Sequence, residues 1–403
     1  MKKLEKSVPV IRFKGFSEAW EQRKLGEVFT ERSEKSSKGE LISVTISSGV
    51  IKASELERKD ISSSDKSNYK VVKKGDIAYN SMRMWQGASG HSLFDGILSP
   101  AYTIITPKKN ISSKFISYIF KKHNMIQNFQ RRSQGLTSDT WNLKFPALSG
   151  IKVKIPNYTE QAKISDFFQH IDNTIALHQR KLDALKLMKK GFLQQMFPKS
   201  EEDVPKIRFT DFNGNWRQRK LEEVADRVRG NDRRMELPTL TISASKGWLN
   251  QHDRFFGNIA GKEQKNYTLL KKGQLSYNHG NSKSAKYGAV FVLRTYDEAL
   301  VPRIYHSFKT NILANSDFIE YLFATKIPDR ELRKIVSSGA RMDGLLNINF
   351  NDFMSILIML PFVEEQIKIS NSLIRLDKII SLYQNKLDQL IKLKKAYLQY
   401  LFI

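Results

Sequence analysis

The sequence contains no cysteine among its 403 residues. This absence excludes disulfides, a thiol nucleophile and any metal site built from cysteine. The chain also lacks an apolar run long enough to span a membrane, and its polar start, MKKLEKSVPV, has no apolar core of a signal peptide. We therefore predict a cytoplasmic protein that makes no membrane contact.

Catalytic signatures are missing as well. There is no Gly-x-x-x-x-Gly-Lys-Ser/Thr loop, no His-Glu-x-x-His motif and no Asn/Asp-Pro-Pro-aromatic box of an amino-methyltransferase. The piece nearest to a phosphate-binding loop, residues 257–262, has the wrong spacing, and the seven histidines are scattered. We expect a chain without catalysis, metal or cofactor of its own. A nuclease site built from dispersed acidic residues is the enzymatic alternative.

What the chain does have is an internal repeat. Residues 155–197 recur as residues 360–402 at one constant offset and without a gap. Residues 8–28 recur as residues 204–224, including the run Gln-Arg-Lys-Leu. The protein is therefore predicted to be two tandem copies of one unit, each a globular segment followed by a helix.

Both copies of the first repeated segment carry an apolar seam with alternating steps of four and three residues. This is the heptad pattern of helices that pack along one another. Pro156 and Pro361 precede the predicted helix starts, and Lys189 and Lys394 are expected to extend past the seam into solvent. The predicted seam residues are Ile164, Phe168, Ile171, Ile175, His178, Leu182, Leu185, Ile369, Leu373, Leu376, Ile380, Tyr383, Leu387 and Leu390.

The middle of each copy is predicted to be rich in β-strands. Residues 41–47 align with 237–243, and residues 69–80 align with 267–278. These stretches are β-branched or apolar, and Lys-Lys-Gly punctuates the second pair. An amphipathic helix follows in each copy, with a serine as the predicted N-cap, and an alternating strand then leads into the long helix.

The copies differ in two loops. SMRMWQGASGH follows Asn80, whereas HGNSKSAKYGA follows Asn278. Behind each amphipathic helix lies a polar loop with glycine, residues 131–138 in the first copy and 337–344 in the second. A shared frame with divergent loops is what two readers of different targets would need.

The chain carries a net charge of +26, from 67 Lys and Arg against 41 Asp and Glu. Residues 159–197 hold six basic and four acidic residues, and residues 364–402 hold seven and four, so +21 lies outside the helices. This placement indicates that the globular segments face a polyanion such as DNA or RNA. A generally basic protein without such a ligand is the alternative.

Connectivity limits the arrangement. A helix of about 39 residues is roughly 58 Å long, whereas the six-residue linker at 198–203 spans at most about 20 Å. The second helix is therefore predicted to run back along the first. The predicted fold class is α+β, with two tandem mixed α/β domains, each followed by a long α-helix, and the two helices forming an antiparallel coiled coil with pseudo-twofold symmetry. The predicted divisions are a first globular domain at 1–155, a long helix at 156–198, a second globular domain at 199–360 and a second long helix at 361–403.

In their order and duplication these motifs resemble the specificity subunit of a type I restriction-modification system. Each long helix is preceded by a predicted strand that ends in proline, at Pro156 and at Pro361. The pair Glu-Gln follows four residues after each proline. The Lys-Lys-Gly-Asp turn at 73–76 and the Ser-Gly-Ala-Arg loop at 338–341 also resemble that family. The second copy has Gln274 in place of Asp76, and the first copy lacks the arginine that Arg341 supplies, so loop contacts cannot be transferred between the copies.

The resemblance implies a non-catalytic reader of double-stranded DNA. The two globular domains would be target-recognition domains, each of which reads one half of a bipartite target. The long helices would set the gap between the two half-sites. Two methyltransferase subunits that bind S-adenosylmethionine would dock on the chain, and ATP-driven restriction and translocase subunits would join them. The alternative is a helical scaffold whose basic domains bind nucleic acid without sequence specificity.

Base contacts need Arg, Asn, Gln, Ser or Lys on loops, supported by phosphate contacts. The candidate DNA-binding residues are Asn80, Ser81, Arg83, Gln86, Arg131, Arg132 and Gln134 in the first domain, and Asn278, His279, Asn281, Lys283, Lys286 and Arg341 in the second.

Overall fold

The chain divides into two compact units, each of which contains parts of both long helices. Unit 1 consists of Met1–Gln179 and Asn385–Ile403, and unit 2 of Arg180–Gln384. The computed structural model describes residues 8–56, 65–199, 202–255, 261–280, 282, 284–336 and 345–403. In these ranges no helix is both long and apolar enough to cross a membrane.

In its described residues the first copy has ten short strands, four short α-helices and the first long helix. In chain order they are β1 (Glu21–Lys24), α1 (Leu25–Val28), β2 (Phe29–Glu31), β3 (Ile42–Thr45), β4 (Gly49–Lys52), β5 (Lys70–Val72), β6 (Ile77–Asn80), β7 (Ser89–His91), β8 (Gly96–Leu98), β9 (Tyr102–Pro107), α2 (Ser113–Ile119), α3 (His123–Arg132), α4 (Phe145–Ser149), β10 (Lys152–Ile155) and α5 (Tyr158–Gln195).

The second copy has the same plan with one additional short helix. Its elements are β11 (Arg217–Lys220), α6 (Leu221–Val224), β12 (Ala225–Arg227), β13 (Leu240–Ser243), β14 (Gly247–Asn250), α7 (Gln251–Phe255), β15 (Thr268–Lys271), β16 (Leu275–Asn278), β17 (Ala289–Val292), β18 (Glu298–Val301), β19 (His306–Thr310), α8 (Ser316–Ala324), α9 (Asp329–Ile335), α10 (Phe350–Met354), β20 (Leu357–Leu360) and α11 (Val363–Tyr400).

The two units have the same sheet topology. A four-stranded sheet has the order β2-β9-β6-β7 in unit 1 and β12-β19-β16-β17 in unit 2. The pairs β1-β10, β3-β4 and β5-β8 recur as β11-β20, β13-β14 and β15-β18, and all named pairs are antiparallel. Because β1 and β11 pair with the strands that lead into α5 and α11, the start of each copy is joined to the base of its long helix.

In unit 1 the beginning of α5 packs against the end of α11. The rings of Phe168 and Phe402 stack with centroids 5.6 Å apart, and Phe167 meets Tyr397 edge-on at 5.0 Å. Further along α5, Asp172 forms an ion pair with Lys394 of α11. Because the partner's number falls as α5 advances, these helix ends run antiparallel.

In unit 2 the end of α5 packs against the beginning of α11. Lys189 Nζ lies 2.6 Å from a carboxylate oxygen of Asp377. Phe197, just after α5, shares a buried core with Ile369 and Leu373 of α11. The helix ends are antiparallel here too. The predicted fold class, mixed α/β copies followed by antiparallel long helices, is confirmed, whereas the four predicted domain limits stay a prediction.

Most positions of the predicted seam are covered. The buried seam residues are Ile164, Phe168, Ile171, Leu182, Leu185, Ile369, Leu373, Leu376 and Leu387, and the half-buried ones are Ile175, His178, Ile380, Tyr383 and Leu390.

The expectation that Lys189 and Lys394 extend into solvent is wrong. Each forms an ion pair with an aspartate of the other helix. The ammonium groups also lie over tyrosine rings, 5.6 Å from the centroid of Tyr321 and 5.7 Å from that of Tyr118. The seam pattern of one helix does not show which residue of its antiparallel partner lies opposite.

The N-caps of the amphipathic helices agree with the sequence in one copy only. The Ser112 hydroxyl accepts a hydrogen bond from Phe115 N at 3.2 Å at the start of α2. At the start of α8, Asn315 Oδ1 accepts from Phe318 N at 2.9 Å, so the cap lies one residue before Ser316, the serine that the sequence pattern predicts as N-cap of this helix. Both residue types supply the short side-chain oxygen that an N-cap needs.

Candidate nucleic-acid interface

Two buried side chains at the start of α5, Glu160 and Gln161, bind neighbouring segments of unit 1 to this helix. The carboxylate of Glu160, with no exposed surface, accepts from Arg12 Nε at 2.8 Å and from Arg12 Nη2 at 2.7 Å. The next residue, Gln161, accepts from Ser112 N at 2.9 Å and donates to Pro156 O at 2.9 Å. The N-terminal segment and the turn before α2 are therefore fixed to one helical turn.

The same arrangement recurs at the start of α11. Glu365 accepts from Arg208 Nε at 2.8 Å and from Arg208 Nη2 at 2.7 Å. Gln366 accepts from Asn315 N at 2.8 Å and donates to Pro361 O at 2.9 Å. A buried carboxylate is stable only when it is fully paired, and the bidentate guanidinium supplies that pairing.

In unit 1 the two divergent loops meet at the end of β6. Leu143 N donates to Ser81 O at 2.9 Å, so the chain that leaves the 131–138 loop returns beside the loop that follows Asn80. The rings of Trp85 and Trp141 meet edge-on with centroids 5.2 Å apart. The backbone bond and the aromatic pair join the two loops into one surface.

Lys121, two residues after α2, adds a third loop to this surface. Its ammonium group donates to Gly87 O at 2.6 Å and to Ile46 O at 3.3 Å. Gly87 ends the helical turn that follows β6, and Ile46 lies in the β3-β4 turn. Burial lowers the pKa of Lys121 to about 8, with a smaller contribution from the charge of Lys394. The second copy has Ala324 at this position, so only the first copy has this tie.

The candidates of the first domain fall into two groups. Ser81 is buried, and its hydroxyl lies 2.7 Å from that of Thr103, so its side chain supports the loop from within. Asn80 is half-buried, and its side-chain oxygen accepts from Met82 N at 3.0 Å. The exposed candidates are Arg83, Gln86, Arg131, Arg132 and Gln134.

Unit 2 joins its loops through a backbone bond to the residue that is equivalent to Ser81, although the donor lies two residues earlier in the returning chain than the equivalent of Leu143. Leu346 N donates to His279 O at 2.8 Å, as Leu143 N does to Ser81 O. His279 is buried, and its two ring nitrogens lie 2.7 Å from Leu346 O and 3.1 Å from Ile304 O.

A second histidine lies beneath the first. The rings of His279 and His306 stack with centroids 5.0 Å apart, and His306 Nε2 lies 2.9 Å from Ile348 O. Burial lowers the pKa of His306 to about 4, so this ring is neutral at neutral pH. Below them, Tyr277 stacks on Phe353 at 4.4 Å. The two loops of unit 2 therefore meet at a residue that packs on a group of stacked aromatic rings.

The remaining candidates of the second domain differ in position. Asn278 is half-buried, accepts from Gly280 N at 3.1 Å and donates to Ile242 O at 3.3 Å. Lys286 is exposed. Three candidates lie outside the described residues, as does the whole 337–344 loop: Asn281, Lys283 and Arg341.

Two residues of the loop surface in unit 1, Lys121 and Trp141, were not among the candidates predicted from the sequence. Lys121 differs from Ala324 in an otherwise matching helix, and this difference between the copies was the available signal. Trp141 has no comparable signal, because its pairing with Trp85 depends on the return of the chain. Within the described ranges, no group of three or more His, Asp or Glu residues could hold a metal ion.

Comparisons with known proteins agree with this architecture. Residues 17–187 match the family model described as the type I restriction modification DNA specificity domain. The chain is 23% identical over 351 residues to the type I restriction enzyme MjaVIII specificity subunit of Methanocaldococcus jannaschii, covering 82% of this chain and 79% of that protein. A crystal structure of the type I restriction-modification system S subunit from M. genitalium shares the fold, with a TM-score of 0.61, 13% identity and coverage of 98% of this chain and 99% of that one. These matches confirm the resemblance to type I restriction-modification specificity subunits that the sequence motifs indicated.

Proposed function

We propose that the chain is a non-catalytic specificity subunit that selects DNA for a type I restriction-modification complex. Each recognition domain reads one half of a bipartite target, the first through the loops around Ser81 and the second through those around His279. The two long helices set the gap between the half-sites. The chain supplies recognition, and its partners supply the chemistry.

One observation carries the proposal. The two copies keep the same sheet topology, and in each copy the backbone oxygen of the residue after the shared Tyr-Asn, Ser81 or His279, accepts a hydrogen bond from the returning chain, at Leu143 N or Leu346 N. The side chains on and beneath those loops differ. A binding module that only holds the DNA backbone gains nothing from two different loop sets, whereas a reader of two unlike half-sites requires them.

Exposed side chains on the loops are the proposed DNA contacts. Arginines suit bidentate contact with guanine, and Gln and Asn suit contact with adenine. We assign base or phosphate contact to Arg83, Gln86, Arg131, Arg132, Gln134 and Lys286, together with Asn281, Lys283 and Arg341 from the sequence. The half-buried Asn80 and Asn278 and the buried Ser81 and His279 instead hold the loops in shape.

The long helices present the proposed docking faces for methyltransferase subunits. Leu177 of α5 and its repeat equivalent Leu382 of α11 are 60% and 65% exposed. Met188 and its equivalent Leu393 are 43% and 45% exposed. Apolar side chains exposed at equivalent positions fit two copies of one partner. In this proposal S-adenosylmethionine and ATP bind to the partner subunits and not to this chain.

The test is to express the full chain together with methyltransferase subunits in cells and to map methylated adenines across the genome. We expect methylation at one bipartite sequence that disappears when this chain is omitted. Methylation at the same sites without the chain would contradict the proposal. DNA binding of equal affinity for all sequences in a competition assay would instead favour the scaffold alternative.

A further inference from the structure

Three elements of unit 1 meet at one carboxylate. Asp172 of α5 accepts a hydrogen bond from the hydroxyl of Tyr118 in α2 at 2.9 Å. The same carboxylate forms an ion pair with Lys394 of α11. The recognition domain and both helix ends are thereby connected through a single side chain.

Unit 2 has the equivalent arrangement. Asp377 of α11 accepts from the hydroxyl of Tyr321 in α8 at 2.8 Å, and Lys189 Nζ of α5 lies 2.6 Å from it. These residues stand at the repeat equivalents of the first set. The two sets form independently in two units, and both involve one tyrosine, one aspartate and one lysine from three elements.

The environment strengthens these contacts. Asp172 and Lys394 are 31% and 28% exposed, so water screens their attraction less than it screens a surface pair. Burial, with the neighbouring carboxylates, raises the pKa of both Tyr118 and Tyr321 above the ordinary range, so each hydroxyl keeps its proton and remains a donor.

A purely apolar seam does not fix one register. Leucine and isoleucine positions repeat along both helices, so a shift by one heptad would again place apolar side chains opposite one another. A charged pair beside such a seam favours the register in which it is paired, because any other register leaves its partly buried groups without that partner. Because the tyrosine belongs to the recognition domain, its hydrogen bond to the aspartate also fixes the position of that domain relative to the helix pair.

We infer that Asp172 and Asp377 are positioning residues that lock each recognition domain to its helix pair and thereby restrict the gap between half-sites that the chain accepts. This inference rests on the proposed function and deepens it. The lysine and tyrosine of each set act through the aspartate, and none of these residues contacts DNA.

The experiment measures methylation of a plasmid library in which the two half-sites are separated by gaps of different length. The full chain is used in complex with methyltransferase subunits. For Asp172→Asn we expect methylation at gaps one base pair longer or shorter to rise about three- to tenfold relative to the native gap, which is the scale of coupling between contacting residues. The sequences of both half-sites should stay the same.

The chain offers a matched control on the same two elements. Asp166 of α5 pairs with Lys114 of α2 at 3.4 Å, but Asp166 is 66% exposed and no residue of α11 joins the pair. Asp166→Asn should leave the gap profile unchanged. Lys394→Arg, which keeps the cation, should retain the wild-type profile, whereas Lys394→Met should broaden it.

Tyr118→Phe keeps the proposal testable if Asp172→Asn does not fold, because it removes only a hydroxyl. A broadened gap profile in this variant would support the lock. Wild-type gap profiles in both Tyr118→Phe and Lys394→Met, with both half-sites still recognised, would overturn the lock and leave the proposed function standing. If the unaltered chain directs no sequence-specific methylation, the proposed function is overturned and the lock with it.

Discussion

The loop junctions, Ser81 in unit 1 and His279 in unit 2, have similar backbone contacts. They differ in the side chains that pack beneath them. In unit 1 the residue at the junction is Ser81, whose hydroxyl meets that of Thr103. In unit 2 it is His279, which faces two carbonyl oxygens and stacks on His306. The carbonyl of each junction residue accepts a backbone hydrogen bond from the returning chain. The frame therefore tolerates different supports, as divergent loops require.

The joints, which are the Arg–Glu pairs and the following glutamines at the start of each long helix, are instead the same in the two units. The Arg12–Glu160 and Arg208–Glu365 pairs have the same atoms at the same distances, 2.8 and 2.7 Å. The glutamines that follow bind the turn before the amphipathic helix in the same way. Identity at the joints and difference at the loops suit a chain that presents two unlike surfaces on one scaffold.

The joints should respond equally and most strongly to mutation. Arg12→Ala leaves the buried Glu160 carboxylate unpaired, and Arg208→Ala does the same to Glu365. We expect each change to lower the free energy of unfolding of its unit by about 3–5 kcal/mol. Hydrogen exchange followed by mass spectrometry would measure each unit separately. Effects that differ by more than about 1.5 kcal/mol, beyond the spread of additivity, would break the equivalence of the joints.

Acid should destabilise unit 2 through the histidine that lies beneath its loop junction. His306 has its pKa lowered to about 4, so between pH 6.5 and 4 the unfolded chain takes up a proton that the folded unit does not. The free energy of unfolding should therefore fall as pH falls through this window, by up to about 3 kcal/mol.

His306→Gln is the matched variant, because its amide can still donate to the carbonyl of Ile348. The stability of unit 2 should lose this part of its pH dependence, whereas unit 1 should keep its own, since burial also lowers the pKa of His91 to about 4. Hydrogen exchange at pH 4 to 7 would show the two units separately. An unchanged pH slope in unit 2 of the variant would show that His306 is protonated in the folded protein.

The smallest expected effect concerns DNA binding by single arginines. Arg83→Ala should weaken binding of the first half-site by about 1–3 kcal/mol if the arginine contacts a base, and should leave the second half-site unaffected. Arg341→Ala should do the reverse. Fluorescence anisotropy with DNA that carries one intact and one scrambled half-site would separate the two. Equal losses on both half-sites would show that the arginines contact phosphates without reading sequence.

Local patterns in the sequence predicted the repeat, the two long helices and the positions of the divergent loops. Heptad spacing and matched segments are properties of neighbouring residues, so they need no knowledge of tertiary contacts. The Tyr118, Asp172 and Lys394 set was missed because it depends on the register of antiparallel helices far apart in the chain. His279 was expected on an exposed loop, and it is buried because the chain at Leu346 returns across it.

We propose that the two globular domains are interchangeable DNA-recognition modules on one shared scaffold. This proposal is tested most directly by replacing residues 204–360 with a second copy of residues 8–155 and mapping methylated adenines in cells that also express methyltransferase subunits. We expect the methylated target to become the first half-site twice, with the second half-site no longer required. Continued methylation of the original bipartite target by this variant would contradict it.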